Sequence, residues 1–87
     1  MRISFRAKSY DVVFTDHSKQ QMALRKLEES VIVDIVQTGE VKARDAENKF
    51  WVFKKIPGRE DNLISVSVSL EAPRLIIITT IVNWRPR

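Results

Sequence analysis

The chain has 87 residues, no cysteine, and 15 lysines and arginines against 11 acidic residues, for a formal net charge of +4. That length fits one domain, 1–87, with a single core, and the missing thiols exclude a disulfide scaffold, a thiolate metal site and a cysteine nucleophile. With 44% hydrophobic and 30% charged residues the composition excludes global disorder, and the basic balance gives a modest attraction for polyanions, although a few net charges also serve solubility alone.

The opening Met1–Phe14 carries basic residues but no apolar run of signal-peptide length. The longest apolar stretch, around Leu75–Ile78, is far too short to span a bilayer, so a cytoplasmic protein without membrane contact is expected. Ile3, Phe5 and Ala7 alternate with Arg2, Ser4, Arg6 and Lys8, the period of a half-buried strand, and Asp11–Phe14 is extended as well. Whether these form one strand or two is left open by the pattern. Thr15 and Asp16 carry side-chain oxygens that can accept a free amide at a helix start. The run Asp16–Leu27 reads as a helix, with Ala23, Leu24 and Leu27 grouped on one side and His17, Gln21 and Arg25 on the neighbouring side.

A second helix is expected over Glu28–Thr38, where Val31, Ile32, Val33, Ile35 and Val36 cover a wide arc. These residues are mostly β-branched, so a strand is the alternative. Gly39 is placed to end this helix through a positive φ. From there the period becomes two. Val41 and Ala43 oppose Lys42 and Arg44; Phe50, Val52 and Ile56 oppose Trp51, Phe53 and Lys55; Pro57-Gly58 marks a turn. In Leu63–Leu70 the alternation of Ile64, Val66, Val68 and Leu70 with Ser65, Ser67 and Ser69 predicts an antiparallel strand with one wet face. Leu75–Trp84 is apolar on both faces and reads as a central strand. The order gives an α+β fold, with two N-terminal helices packed on one face of a four- to five-stranded, mainly antiparallel sheet.

The one histidine, His17, sits at a strand-to-helix junction, where an imidazole can take or give a proton; a surface histidine without a role fits the same position. Arg25 lies two turns on, able to grip a phosphate with its planar fork or to pair with Glu28 or Glu29. Gln21 between them can donate a hydrogen bond. The later strands carry Lys42, Arg44, Lys49, Lys54 and Lys55 interleaved with Trp51 and Phe53. Such a set can hold a single nucleic-acid strand by phosphate contacts and base stacking, while edge lysines that block strand pairing and core aromatics explain it equally. The end of the chain, Asn83–Arg87, adds Trp84 and Arg85, which can close a substrate groove or simply fray. No Gly-rich phosphate loop, metal-ligand cluster or nucleophile triad is present in the sequence, so no metal and no cofactor is expected.

Phe14, Thr15, His17, Met22, Arg25 and Leu27, then Val31, Ile32, Ile35 and Gly39-Glu40, together resemble a widespread bacterial family of small domains. Its pattern is hydrophobic-Thr-x-His-x-x-x-Arg-Met-x-x-Arg-Gly-Ile, then a short helix ending in Gly, then a strand-rich half. The likeness continues through Phe50–Lys55 and Ile76–Trp84. This family is similar to the RelE/ParE-type toxins of toxin–antitoxin systems, within the barnase/RelE-like ribonuclease folds. The chain departs from the pattern at Gln21, where the first arginine stands, and at Lys26, where the glycine stands.

The resemblance implies metal-independent RNA cleavage, with the ribose 2′-hydroxyl attacking the adjacent phosphorus. His17 and Arg25 would be catalytic, and Gln21, Arg44, Lys49, Lys54, Trp84 and Arg85 would bind substrate. The implied partners are RNA and a cognate antitoxin or other protein. A non-catalytic module that grips a protein, as ParE-like relatives do, is the competing expectation, and fold alone does not choose between them. The sequence leaves the oligomeric state open.

Overall fold

The computed structural model describes residues 1–58 and 63–82. The chain runs β1 (Arg2–Phe5), β2 (Lys8–Phe14), α1 (Asp16–Leu24), α2 (Glu29–Thr38), β3 (Glu40–Ala43), β4 (Lys49–Lys55), β5 (Leu63–Glu71) and β6 (Arg74–Val82). It is α+β, as the pattern predicts, but the sheet has six strands in the order β1-β2-β6-β5-β4-β3 rather than four or five. All neighbours are antiparallel except β2 and β6, which pair in parallel with Phe14 opposite Ile77. The extra strand comes from the N-terminus, where β1 and β2 form a hairpin with Phe5 opposite Lys8. Its two-residue loop is Arg6-Ala7, with φ of 50° and 68°. That geometry normally calls for Asn-Gly, so the sequence carries no turn signal there.

One face of the sheet makes the core. Ile3, Phe5, Tyr10, Phe50, Val52, Ile64, Val66, Val68, Leu75 and Ile77 meet Ile32, Ile35 and Val36 of α2, and Met22 and Leu27 of the first helical segment. Helix α2 lies over β1, β4 and β5, while α1 packs along β6, beyond the point where β2 ends. Among the described residues no helix is long and apolar enough to cross a membrane.

Helix α1 is shorter than its periodicity suggests, and it buries a different side. Ser18 and Met22 are its buried residues, whereas Leu24 is 77% exposed and Ala23 is exposed too. The helix stops at Leu24 because Lys26 turns into the left-handed region at φ 54°. The Lys26 amide then donates to the Ala23 carbonyl (3.3 Å) and the Leu27 amide to Met22 (2.9 Å), the two bonds of a Schellman ending. Leu27 reaches the core from beyond the helix as the apolar partner of Met22. A side chain in that conformation is strained, and glycine is not. Lys26→Gly should therefore raise stability by about 0.5–1 kcal/mol, read as a higher midpoint of urea unfolding with an unchanged slope.

Gly39 does end α2, but not through a positive φ, since its φ is −77°. Its need for glycine is spatial. A Cβ there would stand 2.6 Å from the Ile35 carbonyl oxygen and 2.7 Å from that of Phe53. The serines of β5 also depart from expectation. Ser65, Ser67 and Ser69 are buried (0%, 0% and 3% exposed) instead of wet. Each is flanked in register by larger residues: Ser65 by Phe53 and Ile81, Ser67 by Trp51 and Thr79, Ser69 by Lys49 and Ile76. Small side chains on the central strand let the neighbours on either side come together above them. Val41, in turn, is 43% exposed, because the edge strand β3 projects it past the cover of α2.

Candidate functional site

The geometry of the site starts at a bulge in β6. Ser67 pairs with Thr79 and Val68 with Ile77, so Ile78 is an extra residue in the register. Its carbonyl and that of Ile77 are turned toward Thr15. The Thr15 hydroxyl lies 3.0 Å from the Ile77 oxygen and 3.2 Å from that of Ile78, and the Thr15 amide donates to Ile77 at 3.3 Å. The same hydroxyl accepts from the Ser18 amide (3.1 Å), capping α1, while Ser18 Oγ donates back to the Thr15 carbonyl (2.8 Å). Thr15 thus binds the first turn of α1 to the bulge, and that fixes where His17 falls.

His17 is exposed on this first turn, and its Nε2 lies 3.2 Å from Thr79 Oγ1. Thr79 is on the sheet face that carries no helix core, and it opens a row that crosses four strands in register. Thr79 of β6 is opposite Ser67 of β5, Ser67 opposite Trp51 of β4, and Trp51 opposite Lys42 of β3. At a strand spacing of about 4.8 Å the row spans roughly 14 Å. Arg44 lies over it. Its guanidinium is 4.7 Å from the Trp51 ring centroid and donates to Ser67 Oγ, and its Nε is 4.0 Å from Asp45. Stacked on an indole and hydrogen-bonded to a buried serine, this cation is pre-organised rather than free to sweep the surface. Lys49, opposite Ser69, belongs to the same face one pair along.

The structure thus joins His17 with Arg44 and Lys49 among the residues that the sequence suggested. Gln21 and Arg25, both half-buried, continue the His17 side of α1 at one-turn steps, with Arg25 at the helix C-cap. That places Arg25 about 12 Å from His17 along the axis, so a ligand touching both must span two turns. Lys54 is elsewhere. It alternates onto the core face, opposite Ile64, where its Nζ bonds Asp34 and Thr38 of α2, each at 2.8 Å. Its grouping with the substrate-binding set is corrected accordingly: the strand period puts it on the other side of the sheet from Trp51. Trp84 and Arg85 lie outside the described residues.

Sequence reasoning did not select Thr79, Ser67 or Thr15 as parts of a site. The available signal was the pair Thr79-Thr80 inside an otherwise aliphatic run, but only the bulge decides which of the two faces His17. Thr80, opposite Val66, is buried in the core and its hydroxyl has no hydrogen-bond partner among the described residues. Among the described residues no three His, Asp or Glu side chains converge as metal ligands.

Chemically, the row offers a proton-transfer group at one end, a fixed cation and an aromatic surface in the middle, and lysines at Lys42 and Lys49. A comparison with protein-family models finds a match over residues 14–82, described as a domain of unknown function, DUF4258. No curated protein and no solved structure matches the chain.

Proposed function

We propose, for a chain that belongs to the DUF4258 family, a toxin-like role as a metal-independent endoribonuclease on a RelE/barnase-like scaffold. The observation that carries this reading is the in-register row from His17 through Thr79, Ser67 and Trp51 to Lys42, with Arg44 held across it. An extended strand of RNA laid along this row meets a proton-transfer group, cations for the phosphoryl oxygens and an aromatic surface for a base. His17 takes the proton from the 2′-hydroxyl or gives one to the departing 5′-oxygen, and water serves the other position. As the 2′-oxygen–phosphorus bond forms, the bond to the 5′-oxygen breaks, leaving a 2′,3′-cyclic phosphate and a free 5′-hydroxyl. Arg44, with Lys49 and Arg25 toward either side, stabilises charge on the phosphoryl oxygens. Trp51 gives a base a surface to stack on. Gln21 can hydrogen-bond an oxygen but adds no charge where the related pattern has arginine, which lowers the expected rate without removing the proton-transfer group.

The test is cleavage of single-stranded RNA by the purified protein in EDTA. Products ending in cyclic phosphate are expected, with binding that weakens with salt at a log–log slope of about −0.7 per phosphate contacted. RNA left intact at every salt concentration contradicts the proposal. The competing reading, a protein-gripping module, is favoured by Leu24, whose side chain stands 77% exposed on α1 beside the His17 side. It predicts salt-insensitive indifference to RNA and a stable complex with a protein partner that Leu24→Ser weakens.

A further inference from the structure

A second cationic feature lies far from His17, at the opposite end of β2. Arg6, Lys8, Tyr10 and Leu70 line a pocket of about 280 Å³. The Arg6 guanidinium sits 5.0 Å from the centroid of Phe50, a ring that is only 8% exposed. One face of the cation is therefore turned to an apolar surface, which leaves the N–H groups along its edge to meet a ligand. Among the described residues neither Arg6 nor Lys8 forms an ion pair. The acidic groups nearest in sequence are engaged elsewhere: Asp11 pairs with Arg2 at 3.3 Å, and Glu71 accepts from Ser69 Oγ at 3.3 Å, on the other face of the sheet from Leu70. Tyr10, 8% exposed, adds the one hydroxyl among the lining side chains.

The loop that presents Arg6 adds an independent observation. Both of its residues, Arg6 and Ala7, hold positive φ (50° and 68°), a conformation that asparagine and glycine adopt easily and these two do not. Strain held in a surface turn points to a use for the side chain it carries.

We propose that this pocket is an anion site that takes a phosphate-type oxyanion, gripped by the Arg6 fork with Lys8 and Tyr10 alongside. Its volume has ample room for a phosphate group, and the choice of an oxyanion rests on the two cations and the hydroxyl that line it. The site is separate from the His17 row, so it stands whether or not the protein cleaves RNA.

The experiment follows amide resonances of the full chain during titration at constant ionic strength with inorganic phosphate, with a dinucleotide bearing a 5′-phosphate, and with the same dinucleotide lacking it. Saturable shifts at Arg6, Ala7 and Lys8 are expected with one or both phosphorylated probes. Free phosphate alone marks a small-anion site, and the phosphorylated dinucleotide alone marks a nucleic-acid end. Arg6→Gln should weaken binding at least roughly tenfold. The decisive variant is Arg6→Asn with Ala7→Gly, which suits the turn better. It should raise Tm by roughly 4–8 °C while abolishing the shifts. No saturable shift with any probe overturns the proposal. So do equal shifts with the unphosphorylated dinucleotide, or undiminished binding by the relaxed-turn variant.

Discussion

His17→Ala is expected to slow RNA cleavage by about 10²–10⁴-fold while leaving the fold intact. The size of the effect follows from the role: proton transfer at the sugar hydroxyl or the leaving oxygen has no other imidazole to fall back on, because the sequence contains a single histidine. The tolerance of the fold follows from the surroundings. His17 is exposed, and its ring meets the Thr79 hydroxyl at 3.2 Å. Thr15 and Ser18, not His17, hold the start of α1. A surface substitution of this kind changes stability by about 0.5 kcal/mol or less. The comparison is of single-turnover rates on one defined RNA, with unfolding midpoints measured alongside. Equal rates for mutant and parent remove His17 from the chemistry.

Gly39→Ala is expected to destabilise the protein by about 3 kcal/mol, the upper range for overpacking, and to lower Tm by roughly 12–24 °C. The added methyl would fall 2.6 Å from the Ile35 carbonyl oxygen and 2.7 Å from that of Phe53, with Val52 Cγ1 at 3.1 Å. The first two are backbone atoms, one in the last turn of α2 and one in β4, so no rotamer change can make room. Relief requires the C-cap of α2 to change its backbone conformation, to clear Ile35, and to draw away from β4, to clear Phe53. Gly58 provides the contrast: its φ is +86°, but nothing lies within 4 Å of the place a methyl would take, so alanine there strains only the turn. Thermal unfolding of the two variants separates the mechanisms. A Gly39→Ala protein as stable as the parent would mean that helix and strand are not in close contact at this point.

Much of the architecture was legible in the chain. The alternation in β5, the wide apolar arc of α2 and the Thr15 cap each encode their element locally, and Ile32, Ile35, Val66 and Val68 are buried as their spacing requires. What was not legible depended on neighbours. The Arg6-Ala7 hairpin uses positive φ without glycine, so the pattern left open whether one strand or two runs there. Leu24 has the spacing of a core residue, but the Schellman ending at Lys26 sends the chain inward through Leu27 instead. The serines of β5 are polar and still buried, because burial there is set by Trp51, Phe53, Thr79 and Ile81 on the adjoining strands. In the site, His17 and Arg44 stand 27 positions apart with nothing in their spacing to join them; the β6 bulge and the register of three strand pairs do so. Lys54 shows the converse. Its neighbours in sequence are cationic and aromatic, but the strand period turns it toward Asp34.

The most direct test of the row as a ligand surface is the amide and side-chain NMR spectrum of the protein titrated in EDTA with a short single-stranded RNA whose 2′-hydroxyls are methylated, so that it cannot be cut. The expected result is a continuous band of shifts at His17, Thr79, Ser67, Trp51, Arg44 and Lys42, fading as salt is raised, with Lys54 and Asp34 unmoved. Shifts confined to the Lys54 face, or none on the row at concentrations that saturate binding, would contradict it.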